Sequence, residues 1–433
     1  MVPRGSVRFE IAHVIPMNPS PMIPTAEIAW RRGAWMAMAF AVLGGFVPGI
    51  AMGLMQSAGE VGTASYRMLA QLHGRVQYFG FANTLVLAVA LYFLPRLRGV
   101  PVTSVRASNV AIGMVAMAAV VRIVLSVSLV LPLDRIPLFD AVSVTIAALL
   151  TLAGNAVALL VLVSTDRRGT GSPAKSAIAQ VRPLIGMAWM VLLTAQVIDL
   201  ASAVQVVRGG SVAVLPVGTD DAVLTLAGFG WFVPLAVAFA SRTFPLFLRT
   251  PVVSPTWLVV ILPGYVIGLG AQVGANLGFV PDPVGLAGSV VMGLGLLGWV
   301  RVLGVFGRRP PRAGRIADPA VRRAEALVGG ASDLAIVMAM VWLAVAGVLL
   351  VLVGIAGLTG VFAPPSGDVI RHAMGAGVLL PLVVGMSLRM LPGFAGLRPD
   401  AVGIGASWVA SGFAVTAGLS RIGPGLVSWI MGL

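Results

Sequence analysis

Long apolar runs of about 20 residues recur along the whole chain, separated by short stretches that contain Arg, Pro and Gly. A run of this length forms a helix that can cross the hydrocarbon core of a bilayer. The pattern predicts eleven spanning helices, at 34–55, 73–96, 108–131, 140–164, 182–204, 223–246, 256–279, 284–306, 333–358, 369–392 and 402–420. The remainder, 426–433, is too short to cross, because it rises only about 12 Å as a helix.

Composition and charge agree with an all-α polytopic membrane protein. Only 10% of the 433 residues are charged and 58% are hydrophobic, and the mean hydropathy is +0.99. Most of the 29 basic residues fall in the N-terminal tail (1–33) and in the loops after even-numbered helices, which predicts a cytoplasmic N-terminus. The net charge of +14 therefore indicates cytoplasmic loops, not a nucleic-acid partner. The absence of cysteine excludes disulfides and thiolate metal sites.

An internal repeat is visible at the ends of three apolar helices. The segments ALYFLPRL, ASRTFPLF and SLRMLPGF each close a helix with a proline, at Pro95, Pro245 and Pro392, which are 150 and 147 residues apart. Such spacing predicts three copies of a four-helix unit within one transmembrane domain, 34–433. The copies cover about 34–164, 182–306 and 333–433. A twelfth helix would begin near residue 430, so we expect it to be truncated or missing.

Two of the three histidines lie at related positions in the first and third copies. His73 precedes Pro95 by 22 residues and His372 precedes Pro392 by 20, so both are expected at the outer end of their helices and at one depth. Ionisable side chains in a membrane indicate function. A bare metal ion needs three or four ligands, whereas haem iron needs two axial ones. The pair therefore predicts a b-type haem, although a lone histidine at a helix end is often only an interfacial residue.

Small and polar neighbours of the histidines suit a flat macrocycle. With α-helical periodicity, Gln77 and Gly80 share the face of His73, and Gly375 lies one turn beyond His372. Small residues at these positions would let a ring approach the helix backbone. They could equally serve helix–helix packing, which uses the same residue types in membranes.

Haem propionates require cations, and four arginines are candidates. Arg75 and Arg371 flank the two histidines, and Arg67 is expected in the loop before the second helix. Arg122 lies within the third helix and needs a buried partner. That partner is either a propionate or Asp199 of the fifth helix, which is expected at a similar depth.

Two segments carry a family resemblance. They are HGRVQYFGF…LPRLRG (73–99) and RHAMGAGVLLPLVVGMSLRMLPGFAG (371–396). Both resemble the signature segments of the NnrS family, whose members are polytopic haem-binding membrane proteins of the bacterial nitric-oxide response. More distantly, three four-helix repeats with histidines on helices 2 and 10 resemble subunit I of haem–copper oxidases and nitric-oxide reductases. That resemblance implies a pseudo-threefold bundle of twelve helices.

The oxidase resemblance implies that His73 and His372 are the axial ligands of a low-spin haem. It also argues against a copper centre, since the residues 223–246 and 256–279, where copper ligands would lie, contain no histidine. NnrS members often carry another histidine where this chain has Gln71. This departure puts copper binding in doubt and leaves open whether His372 matches the low-spin or the high-spin ligand.

These observations lead to three functional hypotheses. The first is a membrane haem b protein for electron transfer or redox sensing in nitrosative stress, supplied with electrons by a quinol or a redox protein. If His372 ligates alone, the haem would be five-coordinate and the protein could be an oxidoreductase acting on nitric oxide. The second is a cofactor-free transporter, and the third is a degenerate structural homologue of the oxidase subunit. Buried polar residues favour the transporter: Asn83, Asn155, Gln196, Asp199, Gln272 and Asn276.

Overall fold

The computed structural model describes residues 24–97, 100–130, 137–168, 181–209, 214–307, 319–394, 397 and 402–431. These residues form eleven helices, and none of them lies in a β-strand. The helices are α1 (24–57), α2 (64–97), α3 (Val105–Val130), α4 (Pro137–Arg168), α5 (Arg182–Gly209), α6 (Val217–Phe247), α7 (Pro255–Asn276), α8 (Asp282–Leu303), α9 (Pro319–Thr359), α10 (367–394) and α11 (Ile404–Met431).

The prediction of a multi-pass, all-helical membrane protein is confirmed. Within the described ranges, ten helices are long and apolar enough to span a bilayer. The apolar part of α11 is Ile404–Ser420, which is shorter than these ten helices. The sequence pattern predicts that 426–433 is a remainder separate from the last helix. This prediction is wrong for the residues up to 431, because α11 continues to Met431.

Several helices begin earlier than the hydropathy pattern predicted. Helix α2 starts at residue 64, where the Thr63 hydroxyl caps it by accepting a hydrogen bond from the Tyr66 amide at 3.1 Å. Two predictions are therefore wrong: His73 lies in the third turn of α2 rather than at its end, and Arg67 lies in the first turn rather than in a loop. Part of the predicted tail, 24–33, likewise belongs to α1.

Four helices contain π-helical segments, which are rare and are often found at functional sites. A short one interrupts α1 at Val42–Phe46. The other three have seven residues each and begin 150 and 147 residues apart, the spacing of the three prolines. They are Val76–Ala82 in α2, Leu226–Phe232 in α6 and Ala373–Leu379 in α10.

Two of the three helices that contain the seven-residue π segments, α2 and α6, lie toward the inside of the bundle. The most apolar window is 78% buried in α2 and 83% buried in α6, but only 39% buried in α10. Helices α1 and α3 pack on α2, α5 packs on α6, and α9 and α11 pack on α10. Rings of Phe46 in α1 and Phe413 in α11 lie 5.2 Å apart, so the first and last described helices are neighbours. We call the end at which α2, α6 and α10 begin the histidine end.

Close packing of α8 on α9 depends on two facing glycines. A Cβ added to Gly293 would lie 2.5 Å from the carbonyl oxygen of Gly347, and one added to Gly347 would lie 3.0 Å from that of Gly293. Such approach of two backbones is typical of membrane helix pairs.

We expect Gly293→Leu to destabilise the protein by roughly 1–3 kcal/mol or more, because the side chain must push two helices apart. Gly270→Leu is the matched control, since a Cβ there meets no described heavy atom within 4 Å. Thermal unfolding in detergent measures both variants. Equal melting temperatures for the two variants would contradict the packing described for α8 and α9.

Candidate functional site

A buried carboxylate accepts hydrogen bonds from two arginines of different helices. Asp199 of α5 accepts from Nε of Arg75 in α2 at 2.7 Å, and from Nη2 of Arg122 in α3 at 3.1 Å. All three side chains are at most 1% exposed. Of the two partners predicted for Arg122, Asp199 is therefore present in the structure. Buried charges are tolerated in this way only when they are paired and hydrogen-bonded.

Two consecutive aspartates extend the cluster across the histidine end. Asp220 in the first turns of α6 pairs with Arg75 of α2, and its neighbour Asp221 pairs with Arg371 of α10. The first pair is largely buried, whereas the side chains of Arg371 and Asp221 are 42% and 36% exposed. Helices α2, α6 and α10 are thus joined by ion pairs through one dipeptide of α6.

Arg122 has further partners that hold it in the interior. Its Nη1 donates to the hydroxyl of Thr151 in α4 at 3.0 Å, and Thr151 in turn donates to the carbonyl of Ala147 at 2.7 Å. The guanidinium carbon also lies 5.8 Å from the ring centroid of Phe79, within the range of a cation–π contact. Side chains from α2, α3, α4 and α5 therefore meet at Arg122.

His372 directly precedes the π segment of α10 and is held by its own helix. Its Nδ1 lies 2.9 Å from the carbonyl oxygen of Asp368 and 3.2 Å from the carboxylate of the same residue. With the proton on Nδ1, Nε2 carries the lone pair that can bind a metal. The side chain is 20% exposed. Within the π segment that follows, a Cβ built on Gly375 would meet no described heavy atom within 4 Å, so α10 is open at this residue.

His73 is half-buried and its ring faces α1. A Cβ on Gly49 of α1 would lie 3.8 Å from Cε1 of His73, and one on Gly45 would overlap the amide of Gln77. His73 and Gln77 therefore share a face, as predicted. Glycines of α1 make the room for both side chains.

Gly80 does not share the face of His73, and this prediction is wrong. A Cβ on Gly80 would lie 3.0 Å from the Cβ of Ala119 in α3, so Gly80 serves helix packing. The prediction assumed an α-helical period, but residues 76–82 form a π segment with i→i+5 hydrogen bonds. The wider turn rotates every later residue around the helix axis.

Gln71 connects α2 to the segment before α6. Its Nε2 donates to the carbonyl of Leu215 at 2.9 Å, and its Oε1 accepts from the amide of the same residue at 3.0 Å. Both polar groups of the side chain are used in this contact. Gln71 thus has a clear structural role in placing the start of α6.

The predicted cations fall into two groups. Arg75 and Arg122 are buried and meet at Asp199, whereas Arg371 and Arg67 are exposed at the histidine end. Sequence reasoning missed Asp220 and Asp221 as partners of the arginines. The available signal was an acidic dipeptide at the start of a long apolar helix, where unpaired carboxylates would be costly.

In comparisons with known proteins, the chain matches no protein-family model and no curated protein. Of the described residues, none forms a group of three or more His, Asp or Glu side chains that could hold a metal ion.

Proposed function

We propose that this chain is a haem b protein of a bacterial inner membrane, with a cytoplasmic N-terminus and with His372 and His73 as the axial ligands. The single observation that carries the proposal is the orientation of His372. Its Nδ1 lies 2.9 Å from the Asp368 carbonyl oxygen, and α10 is open three residues further on, at Gly375. Histidines that ligate metals are generally oriented by such a bond on the other ring nitrogen.

The position of His73 supports its role as the second ligand. His73 lies three residues before the π segment of α2, and His372 lies one residue before that of α10. If the π segments mark equivalent positions, this difference of two residues corresponds to about 3 Å along a helix, which supports placing the two rings at one level of the bundle. Two imidazoles satisfy the axial requirement of a low-spin haem.

The proposed propionate partners are Arg371 and Arg67, which are exposed at the histidine end. Arg75 and Arg122 are also predicted to bind propionates, but both guanidiniums already pair with Asp199. We therefore assign these two buried arginines to holding α2, α3 and α5 together beside the haem.

We further propose that the chain consists of three four-helix repeats in a pseudo-threefold bundle. The π segments support this arrangement, since they share the spacing of Pro95, Pro245 and Pro392. In this register His372 corresponds to Arg75 and Thr225, each of which directly precedes a π segment. His73 and His372 then occupy neighbouring but not identical repeat positions.

When bound, the haem would exchange single electrons with a quinol or with a redox protein. The chain itself would hold the iron through two imidazoles, and the Asp368 carbonyl would keep the proton on Nδ1 of His372. No copper centre is proposed. A role in the nitric-oxide response rests on the resemblance of the segments 73–99 and 371–396 to NnrS proteins.

The proposal is tested by reduced-minus-oxidised spectra of purified variants. We expect His73→Ala and His372→Ala each to lose the haem b spectrum, because removing either axial ligand weakens haem binding. His13→Ala, which removes the third histidine of the chain, is the matched control and should retain it. Haem loss in His372→Ala alone would indicate five-coordinate haem. Full haem in both variants would refute the ligand assignment.

A further inference from the structure

Several fully buried side chains of α2–α5 present polar atoms that have no hydrogen-bond partner among the described residues, and four of these side chains lie at or near the ion-pair cluster. Their unpartnered atoms include two arginine nitrogens, Nη2 of Arg75 and Nε of Arg122. The amide atoms Nε2 and Oε1 of Gln196 and the Oδ1 of Asn155 belong to the same set. Each of the four residues is at most 1% exposed. Buried polar groups are rarely left unpaired in proteins, so these atoms require an explanation.

The amides of Gln196 and Asn155 lie one helical turn away from the ion-pair cluster, in the same direction. Asn155 follows Thr151 by four residues in α4, and Gln196 precedes Asp199 by three residues in α5. Thr151 and Asp199 are both partners of Arg122. Helices α4 and α5 pack against each other and run in opposite directions. Both amides are therefore displaced from Arg122 away from the histidine end, by about 5 Å.

The unpartnered atoms are a mixture of donors and acceptors, and this mixture identifies the chemistry of the ligand. Arg75, Arg122 and the Nε2 of Gln196 offer N–H groups, whereas the two amide oxygens need donors. A small anion could satisfy only the donors, and a metal cation only the acceptors. Water can do both, and buried water typically makes about three hydrogen bonds to otherwise unsatisfied groups.

We propose that α2, α3, α4 and α5 enclose a hydrated site that extends from the ion-pair cluster to the amides of Gln196 and Asn155. Water enters it from the histidine end beside Asp220, whose side chain is 12% exposed. The site solvates the two guanidiniums that share Asp199, and it carries water toward the middle of the bilayer. This inference stands whether or not the chain binds haem.

Single cysteines test the site directly, because the chain contains none of its own. Gln196→Cys is compared with its neighbour Ala195→Cys, which has nearly the same depth and burial but packs in the apolar core. Methyl methanethiosulfonate reacts with the thiolate, which forms where water solvates it. We expect modification of Gln196→Cys to be about tenfold faster or more. Equal rates would overturn the proposal.

The apolar isostere Gln196→Met provides an independent measurement that needs no reagent to enter. If water molecules form hydrogen bonds with the Gln196 amide, the substitution removes these hydrogen bonds and lowers the melting temperature by roughly 2 °C. If the amide is dry and unpaired, the substitution removes a costly group and raises the melting temperature. A higher melting temperature would therefore contradict a hydrated site, even if the cysteine variants failed to fold.

Discussion

Replacing Asp199 by asparagine is expected to lower the free energy of unfolding by roughly 3–5 kcal/mol, because the change leaves buried guanidinium charge without compensation. Arg75 keeps a second carboxylate, Asp220, but Arg122 has no other acidic partner among the described residues. A loss of this size is a large fraction of the total stability of a typical protein. We therefore expect little folded protein in the membrane fraction, measured by fluorescence-detected size-exclusion chromatography.

Asp221→Asn is the matched control for this prediction. It removes the carboxylate of another arginine pair at the same end of the bundle, but one in which both side chains are over a third exposed. Exposed pairs contribute at most about 1 kcal/mol, so this variant should fold. The double variant Asp199→Asn/Arg122→Leu should regain part of the lost stability, because it removes the uncompensated charge. Equal behaviour of Asp199→Asn and Asp221→Asn would show that the buried cluster does not stabilise the bundle.

Replacing His372 by glycine is expected to abolish haem binding, and added imidazole is expected to restore it. The substitution deletes the imidazole that contacts the Asp368 carbonyl and leaves a space of the same size. Free imidazole can then occupy the vacated position and supply the missing nitrogen ligand. Titration of the purified variant with imidazole, followed by its absorption spectrum after haem addition, measures the recovery.

Recovery by imidazole separates ligation from a structural effect. A variant that lost haem only because α10 was disturbed would not respond to imidazole. Gly375→Leu is a companion variant, since it fills the open side of α10 without touching a ligand. Reduced haem content in Gly375→Leu with unchanged folding is the expected result. Haem loss in His372→Gly that imidazole fails to reverse would count against axial ligation by this residue.

The helical membrane class could be predicted from the sequence because apolar length alone determines it. The helix ends could not, since a hydropathy window misses turns that carry polar residues. The start of α2 illustrates this. Its first turns contain Ser, Tyr, Arg and Gln, yet they belong to the same helix as the apolar residues that follow, and Thr63 caps that helix. The early start of α9 at Pro319, where Arg322 and Arg323 lie in the first turns, has the same origin.

The arrangement around the histidines could be predicted only in part. The need of Arg122 for a buried partner followed from the cost of burying a lone charge, but the sequence left Asp199 and a propionate open as that partner. The shared face of His73 and Gln77 followed from spacing. The rotation of Gly80 toward α3 could not be predicted, because a run of apolar residues gives no signal for a π segment. Pairing of Arg75 with Asp220 joins residues 145 positions apart, and only the packing of α2 on α6 brings them together.

The most direct test of the central claim is the haem content of the purified wild-type chain, expressed with ample haem supply. A pyridine haemochrome assay measures haem b per polypeptide, and a reduced-minus-oxidised spectrum shows whether the haem is low-spin. The proposed ligation by His73 and His372 predicts one low-spin haem b per chain. A folded, monodisperse protein that contains no haem would contradict the account and would favour a cofactor-free transporter.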